Sequence, residues 1–210
     1  MHDGITWIAR SDISWLGYCI TLARGVEPEE LVSRLAGETA PTFLGQRTAA
    51  ELERYLNQRG QEWGSGETIA VRYGDVADLA FAVADGQWPG EMELGVPDGL
   101  SHDGAHVFRL YYEKENPKLP PPAFSYFHDG SYLCGFDMFM HTWSSEITGS
   151  QPDLVREAVL SAGIPGEANR DMAHTRSLAI VEKQFQLTLP REEVLHGTLS
   201  AALIKGQTAA

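Results

Sequence analysis

The sequence predicts an α+β fold, a twisted antiparallel β-sheet meander with helices packed on one face. Three observations predict it. Helical spacing with start and stop signals occupies residues 28–59, the apolar period changes to alternation from residue 67, and AFSYFHDGSYLCGFD at 123–137 reads as strand, tight turn and strand. After Phe136 the strands stop and helical spacing returns, which is the segregated order of an α+β chain.

In chain order, Tyr18 to Leu22 (YCITL) is a buried strand that ends at Gly25, although residues 11–17 also fit a helix. Pro28 then opens a helix over 28–36. Glu29 and Glu30 lie near its positive end, Leu31, Val32 and Leu35 share one side, and Gly37 stops it. The next helix, 48–59, starts with the reciprocal capping pair Thr48 and Glu51, carries Leu52, Tyr55 and Leu56 as its stripe, and closes at Gly60. Thr68–Arg72 and Leu79–Val83 are short strands joined through Tyr73, Gly74 and Asp75. Val107–Tyr112 is rich in aromatic and branched residues, and Pro120, Pro121 and Pro122 force an extended approach to the hairpin of Ala123–Phe127 with Tyr132–Phe136. Five or six strands result.

Beyond the sheet, Ser150 and Asp153 fit a capping box and Pro152 a first turn. Leu154, Val155, Ala158, Val159 and Ala162 then form the packing face of a helix over 152–162, ended by Gly163 and Pro165. A longer helix, 170–186, follows Asn169 with Leu178, Val181 and Phe185 spaced by three and four. A last helix over 191–204 includes Val194, Leu195, Leu199 and Leu203, with Gly197 counting against it. No low-complexity linker divides the chain, so one domain over 1–210 is expected.

Charge narrows the choice of partners. The formal charge is −13, and residues 61–137 alone hold 13 acidic and 4 basic side chains. Such a field repels phosphate backbones and anionic lipid and speeds encounter with a basic protein, so no nucleic acid and no membrane is expected as partner. The same carboxylates also serve as an ordinary solubilising face. No apolar run is long enough to span a bilayer and MHDGITWIARSD lacks the order of a signal peptide, which points to the cytoplasm. There, Cys19 and Cys134 are expected as buried free thiols.

No catalytic constellation outweighs its structural explanation. His102 and His106 are four apart, but Gly104 breaks the helix that would align them and no third ligand stands at a customary distance, so neither metal nor cofactor is expected. Neither cysteine has basic or helix-start surroundings, and GxSxG, GxGxxG and GxxxxGK[ST] are all missing. Glu91/Glu93 and Glu113/Glu115 alternate as an exposed strand face would. Of the five tryptophans, Trp7 and Trp15 fit plugs of the core, whereas Trp88 and Trp143 suit either an interface anchor or the same plugging role. The segment 138–149, with Met138, Phe139, Met140 and Trp143, is the first candidate contact surface.

The order YCITLARGVEPEELVSRL, AFSYFHDGSYLCGFD, GSQPDLVREAVLSAGI and VEKQFQLTLPREEVL resembles a group of uncharacterised actinobacterial proteins, small and acidic, defined only as a domain of unknown function. The resemblance covers nearly the whole chain and implies fold without transferring any catalytic residue. In size, charge and class the chain also resembles immunity and antitoxin-like binding proteins, an analogy of fold alone. The leading expectation is therefore a non-enzymatic binding protein of the immunity or accessory type. Its acidic region, with Glu91 and Glu93, and its Trp88 and Trp143 loops would meet a basic protein partner. The alternative is a small-molecule site or enzyme between sheet and helical layer, with His128, Asp137 and His141 converging.

Overall fold

The computed structural model describes residues 3–11, 13, 17–58, 68–84, 99–113, 122–140 and 145–205. Its strands are β1 (Gly17–Arg24), β2 (Thr42–Arg47), β3 (Thr68–Val76), β4 (Leu79–Ala84), β5 (His106–Glu113), β6 (Ala123–His128), β7 (Ser131–Asp137), β8 (Ile147–Thr148) and β9 (Leu199–Lys205). Its helices are α1 (Pro28–Leu35), α2 (Ala49–Gln58), α3 (Asp153–Ser161), α4 (Arg170–Phe185) and α5 (Arg191–Leu195), with 3-10 turns at Thr6–Arg10 and Ile164–Gly166. All nine strands form one antiparallel sheet in the order β2-β9-β3-β4-β1-β5-β6-β7-β8. The expected α+β class is the observed one.

Insertion of β1 between β4 and β5 interrupts the meander, and the composition of β1 explains why it belongs at the centre. Tyr18 to Ala23 are all buried. A strand apolar or small at every position must be covered on both faces. Tyr18, Ile20 and Leu22 point with Phe81, Phe108, Phe124 and Phe136 toward α3 and α4, whereas Cys19 and Ala23 point with Val71, Ala82 and Tyr111 toward Leu31, Val32 and Leu35 of α1. Helices thus lie on both faces, not on one as expected, and α1 alone among the described helices covers the second.

The local signals explain most boundaries. Thr48 and Glu51 exchange the reciprocal hydrogen bonds of a capping box at 2.9 and 3.3 Å, and the Thr48 amide and hydroxyl, both donating to the Glu51 carboxylate, hold it below its ordinary pKa. Gly163 ends α3 at φ +69°, a left-handed geometry that glycine enters without a side-chain penalty. Asn169 caps α4 by accepting from the Asp171 and Met172 amides at 3.0 and 3.2 Å. Asn169→Ala strands those two donors and is expected to cost about 1 kcal/mol in urea unfolding, whereas Asn169→Ser is expected to cost little. Ser150 does not form the expected box with Asp153: its hydroxyl donates to the Tyr132 carbonyl and α3 starts directly after Pro152.

Two expected boundaries are corrected, and one strand was not anticipated. The turn between β3 and β4 lies at Ala77 and Asp78, so Tyr73 to Val76 continue the strand. The exposed edge strand β2 carries no apolar alternation, and only its pairing with β9 defines it. The last helix ends at Leu195, and Leu199 onward is β9, paired with β2 on one side and β3 on the other. A Cβ on Gly197 would stand 2.6 Å from Glu193 Cα, so this reversal has no room for a side chain. The spacing Leu199, Leu203 also contains an alternation, with Ala201 and Leu203 facing α2 and Ala202 and Ile204 facing α1.

Candidate functional site

A cleft opens where the sheet ends against the last turn of α4. Its position follows from register: Arg24 of β1, His106 of β5 and His128 of β6 are successive cross-strand partners at that end of the sheet. The next row inward, Leu22, Phe108 and Tyr126, lies on the same face because side chains recur every second residue. From the other side come Gln184, Phe185 and Gln186, the last turning the chain out of α4 at φ +52°. Asp78 reaches in from the β3–β4 turn. The cleft is open to solvent and holds about 350 Å³, within the range of small-molecule sites.

Its polar groups are held before any ligand arrives. Arg24 Nε donates to Asp78 Oδ2 at 2.7 Å and Nη2 to the Gln186 carbonyl at 2.9 Å, while its guanidinium carbon stands 5.6 Å from the Phe108 ring centroid. The guanidinium is therefore oriented by an ion pair, a helix-end carbonyl and an aromatic face. His106 Nδ1 and the Tyr126 hydroxyl are 2.8 Å apart, and the His106 and His128 rings stack with centroids 3.9 Å apart. His128 Nδ1 lies 3.2 Å from the Ala105 carbonyl, so this nitrogen carries the proton and donates.

Electrostatics keep His106 and Tyr126 neutral. Burial first, then His128 and Arg24, lower the His106 pKa, so its imidazole is uncharged at neutral pH. Burial and the neighbouring Cys134 raise that of Tyr126, leaving a phenol. The cleft thus offers one fixed cation, one carboxylate, a neutral imidazole linked to a phenol, glutamine amides, and an apolar floor of Phe108 and Phe185. That set suits an organic molecule with an anionic head and a flat or aliphatic body. The imidazole and phenol can also relay a proton.

The expected residues fall in three places. His128 stacks on His106 in the same cross-strand row but does not itself line the cleft. Asp137 does not join it: Ala123 pairs with Asp137 and His128 with Ser131, so the two lie at opposite ends of the β6–β7 hairpin. Five strand steps separate them, about 17 Å. Asp137 accepts instead from the Phe139 amide at 2.8 Å. Met138, Phe139 and Met140 belong to the main core at 0, 6 and 1% exposure, which corrects the expectation of a contact surface there. The backbone turns inward after Asp137, so apolar residues without periodicity signal here a core-entering turn. His141, Trp143, Trp88, Glu91 and Glu93 lie outside the described residues. Sequence reasoning missed Arg24, Asp78, Tyr126 and Gln186. An arginine closing an apolar strand was the only signal that pointed to them.

A second buried polar pair lies deeper. The Tyr18 hydroxyl and His174 Nε2 are 2.5 Å apart beneath α4, where burial pushes the histidine pKa down to about 4. His174 lies inside the core, 4% exposed. Cys19 and Cys134 are buried free thiols as expected, and burial pushes Cys134 up to about 11, which makes it unreactive. Trp7 packs against the core and donates from its indole nitrogen to the Leu189 carbonyl at 3.1 Å. Among the described residues no three His, Cys, Asp or Glu side chains gather as metal ligands, and no helix is long and apolar enough to cross a membrane.

Fold and cleft together define an α+β protein whose antiparallel sheet carries a ligand-sized hollow at one end. Residues 3–191 match the model of a family of unknown function, DUF6461, and the chain belongs to that family. No curated protein and no solved structure matches it.

Proposed function

We propose that this protein binds a small organic anion, a carboxylate or phosphate monoester with an apolar body, in the cleft between sheet and α4. The supporting observation is the convergence of Arg24, His106 and Tyr126 over the Phe108 and Phe185 rings. A salt-bridged guanidinium with further N–H groups to offer can receive an anionic head without reorganising. The neutral imidazole accepts or donates beside it, and the aromatic floor supplies apolar contact. Whether the bound molecule also reacts depends on its own leaving groups; the imidazole–phenol pair is the proton-transfer group at hand.

The test is a thermal-shift and calorimetric screen of small carboxylates and phosphate monoesters, followed by the same measurement on Arg24→Met and Tyr126→Phe. Ligands that bind the native form raise the midpoint. Arg24→Met is expected to weaken binding at least tenfold, about 1.4 kcal/mol. His106 ring resonances are expected to move on ligand addition in the unmutated protein. A screen with no hit, or affinity unchanged in Arg24→Met, would overturn the proposal.

A second reading rests on charge. The concentration of carboxylates in residues 61–137, Glu91 and Glu93 among them, favours encounter with a basic protein in the manner of an immunity or accessory factor. Association with such a partner is expected to weaken steeply as salt rises. Salt-insensitive association would remove this reading while leaving the cleft untouched.

A further inference from the structure

Of the described residues that line the cleft, Arg24 and Asp78 carry formal charges, and the two are of opposite sign. Their ion pair is 2.7 Å long, yet the Asp78 side chain is 68% exposed against 23% for Arg24. An ionised carboxylate has about four lone-pair sites, and Arg24 Nε takes one of them. Acceptor capacity therefore remains on the solvent side of Asp78. The Gln186 carbonyl, which accepts from Arg24 Nη2 at 2.9 Å, has a second lone pair. Gln184, Phe185 and Gln186 also bring the C-terminal end of α4 to the cleft, and such a helix end carries roughly half a negative charge. Acceptors and a negative potential thus stand directly beside the guanidinium.

A ligand with an anionic head alone gains from Arg24 but is repelled by Asp78 and by the end of α4. A phosphate monoester, as a dianion, meets the larger repulsion. His106 does not offset it, because burial, His128 and Arg24 lower its pKa and leave the ring uncharged. An ammonium next to the carboxylate on the same ligand turns both repulsions into attractions. We propose that the cleft binds a zwitterion, a free α-amino acid with an apolar side chain. Its carboxylate takes N–H groups that Arg24 does not give to Asp78 or Gln186, its ammonium donates to Asp78 and the Gln186 carbonyl, and its side chain lies over the Phe108 and Phe185 rings. A single carbon joins the two charged groups of an α-amino acid, so one small head spans the 2.7 Å ion pair. The remaining space, out of about 350 Å³, takes the side chain. This inference rests on the reading of the cleft as a carboxylate site and narrows it to one class of carboxylate.

The experiment is calorimetric titration of the full chain with L-phenylalanine and L-leucine, with hydrocinnamate and isocaproate, which lack only the amine, and with phenethylamine, which lacks the carboxylate. At least one of the two amino acids is expected to bind, and its des-amino counterpart to bind about tenfold more weakly, the loss of one charge-assisted contact. Phenethylamine is expected to be weaker than phenylalanine by a similar factor. Asp78→Asn is expected to weaken the amino acid about tenfold and to leave the des-amino acid within about twofold. A des-amino acid that binds as tightly as its amino acid would overturn the zwitterion and leave the carboxylate reading of the cleft standing. Equal losses for both ligands in Asp78→Asn would reduce Asp78 to positioning Arg24 and overturn the placement of the ammonium. Binding of neither amino acid would overturn the inference, while the cleft itself is judged by the wider screen of carboxylates and phosphate monoesters. The comparison on the unmutated protein decides the matter without the variant.

Discussion

Phe124→Ala is expected to lower the free energy of unfolding by about 4 kcal/mol, the middle of the range for a large aromatic side chain removed from a packed core. Phe124 is 1% exposed and stands in the row Ile20, Leu110, Phe124, Phe136 that runs across four strands. Its ring lies 5.9 Å from Phe136 and 5.4 Å from Phe185, which also meets Phe108 and Tyr126 at 5.2 and 5.0 Å. The cost is therefore lost transfer energy together with a cavity that a rigid sheet cannot close. Because Phe185 floors the cleft, ligand affinity should fall even at temperatures where the variant stays folded. Denaturant unfolding checks the first effect. A loss below about 1.5 kcal/mol would mean that α4 settles into the gap, which is the usual outcome only at sites that collapse easily.

Acid is expected to remove about 3 kcal/mol of stability through His174 alone. The imidazole is fully buried between Tyr18, Tyr112 and Phe139, with rings at 5.8, 5.7 and 6.1 Å. Burial dominates and the nearby Asp171 opposes it, leaving a folded pKa of about 4 against an ordinary 6.5. Tyr18 faces it as a phenol, its own pKa raised by burial and by Tyr112. The unfolded chain therefore binds more protons than the native one between those two values. Stability is complete above pH 6.5, declines as pH falls through the window, and loses nothing further to this group below pH 4. Urea unfolding at pH 7.5 and 4.5 measures it. His174→Gln is expected to begin less stable at pH 7.5 and to show a much shallower decline. The same slope in both proteins would place the acid sensitivity elsewhere.

The site was less legible than the fold, and the reason is register. His128 was singled out from its hairpin, but its placement beside His106 and Arg24 depends on three strands meeting in one row, and residues 24 and 106 are joined only by the pairing of β1 with β5. Asp137 and His128 looked like neighbours along the chain, whereas an antiparallel hairpin sends its two ends in opposite directions. The segment from Met138 showed the same ambiguity. Apolar residues in a loop fit an interface or a core, and only the inward turn after Asp137 decides between them.

What the sequence determined by itself was local. Capping at Thr48 and Asn169, proline at the start of α1, the glycine after α3 and alternation in β4 to β7 act through groups a few residues apart, so their energetics are written in the adjacent letters. Tertiary structure alone decided which polar side chains belong inside. Arg72 lies 1% exposed in β3 and donates at 2.6 Å to the Val194 carbonyl, and Tyr18 meets His174 from the other end of the chain. Tertiary contact likewise made a strand of residues 199–205, because a short run of small and branched side chains fits either state until neighbours on both sides offer hydrogen bonds. Burial of a charge or a ring nitrogen is set by what distant strands bring to it, and no local pattern carries that information.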